Sequence, residues 1–293
     1  MRCDLHVHSI ASGMFDGPGL SWLCRESYSD PAALYYQLKQ TGMSLVTVTD
    51  HDSIDAAEAL RRYPDFFLSE ELTVIMPSGT KMHLGVYGIS ERDHTEIQRR
   101  RGDFMALVMY LRERNLFFSV NHVFSGLTGR REVDDFRRFA AHVPAFEVRN
   151  GHMWPEANAG AEKLARLLGK VAVGGSDSHT LASAGHTYTE VPGARSAEEF
   201  IAGLRAGHGW IRGLHGSYGT VTANAYRVAR GLLLDRPWTI ALTPLLPFLP
   251  VFTAAHWANE IRFCRKWRGM LESGSKGPRT WGIGSKLQPK LAG

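Results

Sequence analysis

Imidazoles and carboxylates recur at the ends of short apolar runs from residue 1 to about 215, and few folds accommodate that arrangement. Runs rich in β-branched or aromatic residues occupy 45–49, 66–69, 82–87, 116–120, 145–148 and 170–173. Stretches with helical periodicity lie between most of them, near 93–114, 132–141 and 155–168. Asp30-Pro31 reads as a cap followed by proline at the first helical position, with Gly42 as the stop, and Ser196 with Glu199 opens a last helix in capping-box spacing. Such alternation predicts an α/β fold. His6 and His8, His51, Glu70 and Glu71, His122, Asn150, and Asp177 with His179 stand in or just beyond the C-terminal ends of extended segments, while His83 lies inside one. In a closed α/β barrel those ends open onto one face, where active sites are built, so the pattern predicts a single convergent site.

With 293 residues and 44% apolar content, the chain suits one large domain or a domain with an extension. Cys3, Cys24 and Cys264 are widely separated, which excludes a disulfide framework and a thiolate zinc cage. The first six residues are charged and polar rather than a secretory apolar run, so the expected location is cytoplasmic. The net charge of +5 is a property of the C-terminus: residues 261–293 carry +7, which leaves −2 for residues 1–260. A basic balance so distributed says nothing about the surface near a site.

His6-Val7-His8 places two imidazoles on one side of an extended segment, and Asp177-Ser178-His179 repeats the spacing with a carboxylate. With His51, His83, His122 and the Glu70-Glu71 pair, there are too many ligands for one closed tetrahedron. Mixed His/Asp/Glu ligation without cysteine suits zinc, manganese or iron, and implies two or three divalent ions and hydrolysis. Arg149 could hold a substrate phosphate bidentately, together with Asn150. Asp50 and Asp52 flank His51 and read equally well as acceptors that orient it or as helix caps.

Together these motifs resemble the PHP superfamily, named for polymerase and histidinol phosphatase domains: Asp4-Leu5-His6-Val7-His8-Ser9, Thr49-Asp50-His51-Asp52, the glutamate in Ser69-Glu70-Glu71-Leu72-Thr73, Asn121-His122, and Gly175-Ser176-Asp177-Ser178-His179. The resemblance implies a distorted seven-stranded (β/α) barrel over 1–215 with a two- or three-metal centre that hydrolyses phosphoesters. It implies His6, His8, Glu71 and Asp177 as ligands of one ion, with Glu71 bridging to a second held by His83 and His122. His51 and His179 are implied for a third. Glu71 is chosen because family members place the glutamate before an apolar residue and a threonine, and Glu70 is the fallback. Members with a third metal carry an Asp or His about five residues after the second histidine; here Gly13 stands there, and Asp16 is the nearest acid. Val123 replaces a common proline.

The expected reaction is attack of a metal-bound hydroxide on phosphorus, with His122 or His179 near the leaving oxygen and a small phosphorylated molecule as substrate. A nuclease or 3',5'-nucleotide phosphatase of the same superfamily is the first alternative. An amidohydrolase-type enzyme and a non-catalytic membrane-associated scaffold are the others.

Residues 216–272 read as an apolar helical extension and 273–293 as a basic, disordered tail. No charge occurs between Pro237 and Ala255, but Pro244, Pro247 and Pro250 break any regular helix. The extension either packs on the barrel as proline-broken helices or meets an anionic membrane surface through 237–268.

Overall fold

The computed structural model describes residues 1–14, 22–128 and 131–273. The first half carries β1 (Arg2–Cys3), α1 (Pro31–Gln40), α2 (Ala57–Leu60), β2 (Ser69–Ile75), β3 (Lys81–Tyr87), α3 (Glu91–Arg100), α4 (Phe104–Glu113) and β4 (Phe117–Val120). Then follow α5 (Val133–His142), β5 (Ala145–Asn150), α6 (Pro155–Leu168), β6 (Val171–Gly175), β7 (Thr187–Glu190), α7 (Ala197–Arg205) and β8 (Trp210–Gly213). The extension comprises α8 (Tyr218–Asp235), a 3-10 stretch (Pro237–Phe248) and α9 (Leu249–Ser273). The expected tail lies, apart from Ser273, outside the described residues.

Helix ends follow local chemistry. The Asp30 carboxylate accepts from Ala33 N ahead of Pro31, and Ser196 Oγ accepts from Glu199 N. The stretch expected as one helix near 93–114 divides at Gly102, where Asp103 caps a second helix through Met105 N and Ala106 N.

The α/β character holds, but the described residues form no closed sheet. They form a five-stranded sheet in the order β2-β3-β4-β5-β6 and a three-stranded sheet in the order β1-β7-β8. The β2-β3 and β3-β4 pairs are antiparallel, and among the ladders of the five-stranded sheet only β4-β5 and β5-β6 have the parallel pairing of a (β/α) repeat. A tight turn explains the first departure: Met76 N donates to Thr80 O and Gly79 adopts φ 79°, so Pro-Ser-Gly-Thr reverses the chain directly.

Between β6 and β2 run two extended segments, 4–9 and 45–51, which pair only through isolated bridges: Val7 with Ser178, Val46 with Phe66, and His51 with Glu71. The expected strand at 45–49 is reduced to one of these bridges. Side chains take backbone bonds that a ladder would use. Val7 N donates to Thr49 Oγ1 (3.0 Å), Ser9 N to Asp50 Oδ1 (2.6 Å), and both His6 N and Ser176 N to Asp4 Oδ1.

The principal core lies between the five-stranded sheet and α4, α5 and α6, with Leu84, Phe118 and Phe146 meeting Leu107, Phe139 and Leu164. Cys264 and Trp267 of α9 join it, which fastens the extension to the α/β body. Burying side chains of this size stabilises by roughly 1.5–3 kcal/mol each.

Candidate metal centre

Side-chain alternation decides which glutamate faces inward. On β2, Glu71 points into a buried cluster, while Glu70 turns to the opposite face and accepts from Gln98 Nε2 and pairs with His94 Nδ1, both at 2.9 Å. Each Glu71 oxygen meets a separate set of rings. Oε2 lies 3.1 Å from His6 Nε2, 3.3 Å from His8 Nε2 and 3.3 Å from His51 Nε2. Oε1 lies 3.5 Å from His83 Nδ1 and 3.3 Å from His122 Nε2, and accepts from Asn121 Nδ2 at 2.9 Å. Asp177 Oδ1 closes the arrangement at 3.4 Å from both His6 Nε2 and His8 Nε2, and at 3.7 Å from His179 Nδ1.

The elements that deliver these groups are under constraint. Asp177 and His122 have φ of 52° and 28°, in the left-handed region that costs a non-glycine residue conformational energy. At Gly175 a Cβ would stand 2.5 Å from both His6 N and His6 Cβ, so only glycine lets the end of β6 approach the His6 segment. A register shift in β5 between Glu147 and Arg149 puts Glu147 and Asn150, three residues apart, on the cluster side.

Neighbouring groups fix the ring orientations. A carboxylate only accepts, so the 2.8 Å contact of His6 Nδ1 with Glu147 Oε1 puts a ring proton there and leaves Nε2 facing Glu71 and Asp177. Ser12 Oγ donates to Asp50 Oδ1 (2.8 Å), so His8 Nδ1 must donate to Ser12 (2.9 Å), and its Nε2 likewise faces the centre. Asp50 therefore orients His8 through Ser12 rather than orienting His51. Asp52 accepts from Thr73 N and pairs with Arg101, and orients no ring of the cluster.

Burial works against every charge here, yet the carboxylates prevail for most rings. Asp177, Glu71 and Glu147 together hold His6 well above the ordinary histidine range despite its burial. Glu71 and Glu26 raise His51 to about 10 against the same penalty, whereas burial takes His83 down to about 4. The rings in turn hold Glu71 and Asp177 well below the carboxylate range. A divalent cation meets the same demand for positive charge. The donor set fits one: His8 Nε2 and His83 Nδ1 are buried without a hydrogen-bond partner, and four ligand triads have donor atoms within 4.8 Å of one another. These are His6-His8-Asp177, His6-Glu71-His122, His51-Glu71-His83 and His8-His51-His179.

His6, His8, His51, Glu71, His83, His122, Asp177 and His179 are thus brought together, and Asp16 lies outside the described residues. Glu26 instead meets His51 Nε2 at 3.2 Å and stands 3.8 Å from His179 Nε2. No spacing signal marked it, because it is in no strand; only its place in the loop after the first histidines could have drawn attention. Glu147 was hidden by the register shift. Asn150 is buried and donates to Glu147 Oε2 and Asp177 Oδ2, so it braces the cluster rather than facing substrate. Arg149 falls on the other side of the shift and enters no hydrogen bond or ion pair described at the cluster; its charge reaches His215, whose pKa burial chiefly lowers. The site opens beside His51 and His83 into a cavity of about 660 Å³ whose lining also includes Lys81, Gln98 and Arg101.

A buried cluster of histidines and carboxylates on an α/β scaffold thus defines a candidate metal centre. Residues 155–208, from α6 through α7 with Asp177 and His179 between them, match the model of the PHP-associated family. None of the curated proteins matches the sequence. Among solved structures, the chain is similar to PsfC from Pseudomonas syringae PB-5123, with 20% identity and a TM-score of 0.59 over 78% of this chain and 98% of that one. It is also similar to a two-domain protein from Bacteroides vulgatus ATCC 8482 described as containing a predicted PHP-like metal-dependent phosphoesterase (14% identity, TM-score 0.53, 77% and 69% covered). The lesion-specific endonuclease PfuEndoQ from Pyrococcus furiosus shares the fold at 15% identity and a TM-score of 0.50, over 72% of this chain and 58% of that one. At these identities the structural likenesses concern the fold. The family match is confined to residues 155–208, and over the rest of the chain the likeness is one of fold.

Proposed function

We propose that the protein is a metal-dependent hydrolase of phosphoesters, acting on a small phosphorylated molecule. The observation that carries this reading is the position of Glu71, whose two oxygens face two separate groups of imidazoles, as a carboxylate shared between cations does. His6, His8, Glu71 and Asp177 would hold one ion, His83 and His122 with Glu71 a second, and His51, His179 and Glu26 a third; zinc, manganese and iron suit these donors. Bound there, divalent ions lower the pKa of a coordinated water and neutralise phosphoryl oxygens.

The chain's own groups do the rest. Glu147, Asn150 and the Asp50-Ser12 pair hold the rings in one orientation, and Asn121 fixes the Glu71 carboxylate. His122 and His179 stand at the partly exposed edge of the cluster, and as ligands they would act near the leaving oxygen through the ions they hold rather than as proton donors. Arg101, on the cavity lining, replaces Arg149 as the cation offered to the substrate's anionic part. The alternative of a nuclease or 3',5'-nucleotide phosphatase draws support from the fold shared with an endonuclease. Three unpaired cysteines support a reducing, cytoplasmic setting.

Elemental analysis of purified protein, with phosphomonoester and phosphodiester panels under added Mn²⁺ or Zn²⁺, tests the proposal. Stoichiometric metal and turnover of one panel are expected, with ¹⁸O from labelled water in the released phosphate. A protein that takes up no divalent metal, or a metal-loaded one inert to both panels, overturns it.

A further inference from the structure

The turn between α8 and α9 exposes an apolar surface that the α/β body does not cover. Leu234, Trp238, Ile240, Phe248, Val251 and Phe252 are each more than half exposed within 19 consecutive residues. Single exposed apolar side chains are ordinary, but six within one corner of the chain mark an interaction surface. Trp22 extends it from the other side: it is 65% exposed, and its carbonyl accepts from Arg236 Nη1 at 3.0 Å. The corner is anchored rather than loose. Asp235 pairs with Arg25 at 3.7 Å, and Gly231 packs on the Tyr28 ring so closely that a Cβ there would stand 2.5 Å away.

Charge identifies the occupant. Residues 218–269 carry seven Arg or Lys against two acids, and both acids are engaged: Asp235 with Arg25 and Arg236, and Glu260 with Gly126 N. On α8, Arg230 and Arg227 are exposed one and two turns before Leu234. At 1.5 Å per residue they stand about 6 and 10 Å back from the apolar corner along the axis. That spacing matches an apolar face entering roughly 5–10 Å into a bilayer while guanidinium groups stay among the headgroups.

We propose that this corner docks the protein on the surface of an anionic membrane, lying on it rather than crossing it. Pro237–Gly269 has the length and apolarity of a membrane span. Crossing, however, would detach Trp257 from Trp154, on which it stacks at 4.5 Å, and pull Cys264 and Trp267 from the core they join. Docking leaves those contacts intact. It also brings the membrane to the 22–28 loop that carries Glu26, because the end of α8 holds that loop through Arg25, Tyr28 and Trp22.

The test is co-sedimentation of the full chain with vesicles of phosphatidylcholine alone and of phosphatidylcholine with phosphatidylglycerol, at low and high salt. Binding to the anionic vesicles that weakens with salt is expected. A Trp238→Glu/Phe252→Glu variant should bind at least about tenfold more weakly, since each ring forfeits more than 1.4 kcal/mol of burial. Met109→Glu, at an equally exposed site on α4, should bind as the parent does. Circular dichroism and bound-metal content confirm that each variant is folded. Absence of binding to both vesicles, or equal binding by the double variant, overturns the proposal. So does a stable dimer that the double variant disperses when vesicles are not bound. None of these readings depends on phosphoesterase activity.

Discussion

Glu147 Oε1 lies 2.8 Å from His6 Nδ1, and this buried pair sets the direction in which the first histidine of the cluster presents its other nitrogen. The second Glu147 oxygen accepts from His122 N at 2.9 Å, on the backbone whose φ is 28°. One carboxylate thus supports two rings without facing the centre. Glu147→Gln keeps the size but can present an N–H to either donor. Metal affinity should fall by about 10–100-fold, with a smaller loss of folding stability. Competition for zinc against a chromogenic chelator measures the first and denaturant unfolding the second.

Glu26 pairs with His51 and His179 at the edge away from Glu147. Glu26→Gln should therefore lower metal content by one equivalent while leaving the ions at His6-His8-Asp177 and His83-His122 in place. Elemental analysis after dialysis gives the count. Loss of all metal would show instead that the edge and the centre fill together.

The neighbouring glutamates provide a sharper contrast. Glu71→Gln should abolish metal retention and any turnover, because the bridging oxygens and their charge are both compromised. Glu70→Gln should leave metal content unchanged and destabilise the protein by about 1 kcal/mol through its bonds to His94 and Gln98.

These two residues also mark what the sequence makes legible. Motifs on regular segments were readable, because an extended chain sends alternate side chains to opposite sides: His6 with His8 and Asp177 with His179 meet as their spacing predicts. Helices with local start signals, such as those after Asp30 and Ser196, were readable for the same reason. Glu147 and Glu26 were not. The first depends on a register shift that periodicity cannot anticipate, and the second on a loop whose path is set by tertiary contacts with α8. The antiparallel β2-β3-β4 order was equally hidden, since a strand run carries no direction. The break in the ring at 4–9 and 45–51 depends on which of two acceptors, a carbonyl or a side chain, each amide finds.

Asp93 offers a pH test remote from the centre. Despite burial, its carboxylate is held down at about 2 by Ser90, Tyr110 and Arg114. Its folded pKa lies below the ordinary 3.8, so its stabilisation is present above pH 4 and is lost as pH falls toward 2. A shift of this size corresponds to about 2 kcal/mol. Asp93→Asn should be destabilised by that order at neutral pH, and the gap should close below pH 3 in urea midpoints followed against pH.

Gly175→Ala tests the close approach of β6 to the His6 segment. The added methyl meets backbone and Cβ atoms rather than the end of a flexible side chain, so the strand or the histidine must move. A cost of about 1–3 kcal/mol is expected, together with weaker metal binding because His6 and Asp177 flank the contact. Gly193→Ala, at φ 81° but with no atom within 4 Å of the new Cβ, is the control: it carries the conformational strain without the collision. Its stability should fall while its metal affinity does not.

The cavity wall separates binding from chemistry. Arg101 pairs with Asp52, and Arg101 and Lys81 line the cavity together with His51 and His83. Arg101 makes no described contact with Glu71 or Asp177, so its charge can act on substrate without belonging to the metal cluster. If the substrate carries an anionic group besides the scissile phosphate, Arg101→Ala should raise KM by about tenfold with kcat changed much less. A simple aryl phosphate, which lacks that second group, should be hydrolysed with nearly parental constants. Asp52→Asn, which removes the competing carboxylate and leaves the guanidinium in place, should move KM the other way. Equal losses of kcat for both substrates in Arg101→Ala would instead place Arg101 in service of the metal centre, through the Asp52 loop that follows His51.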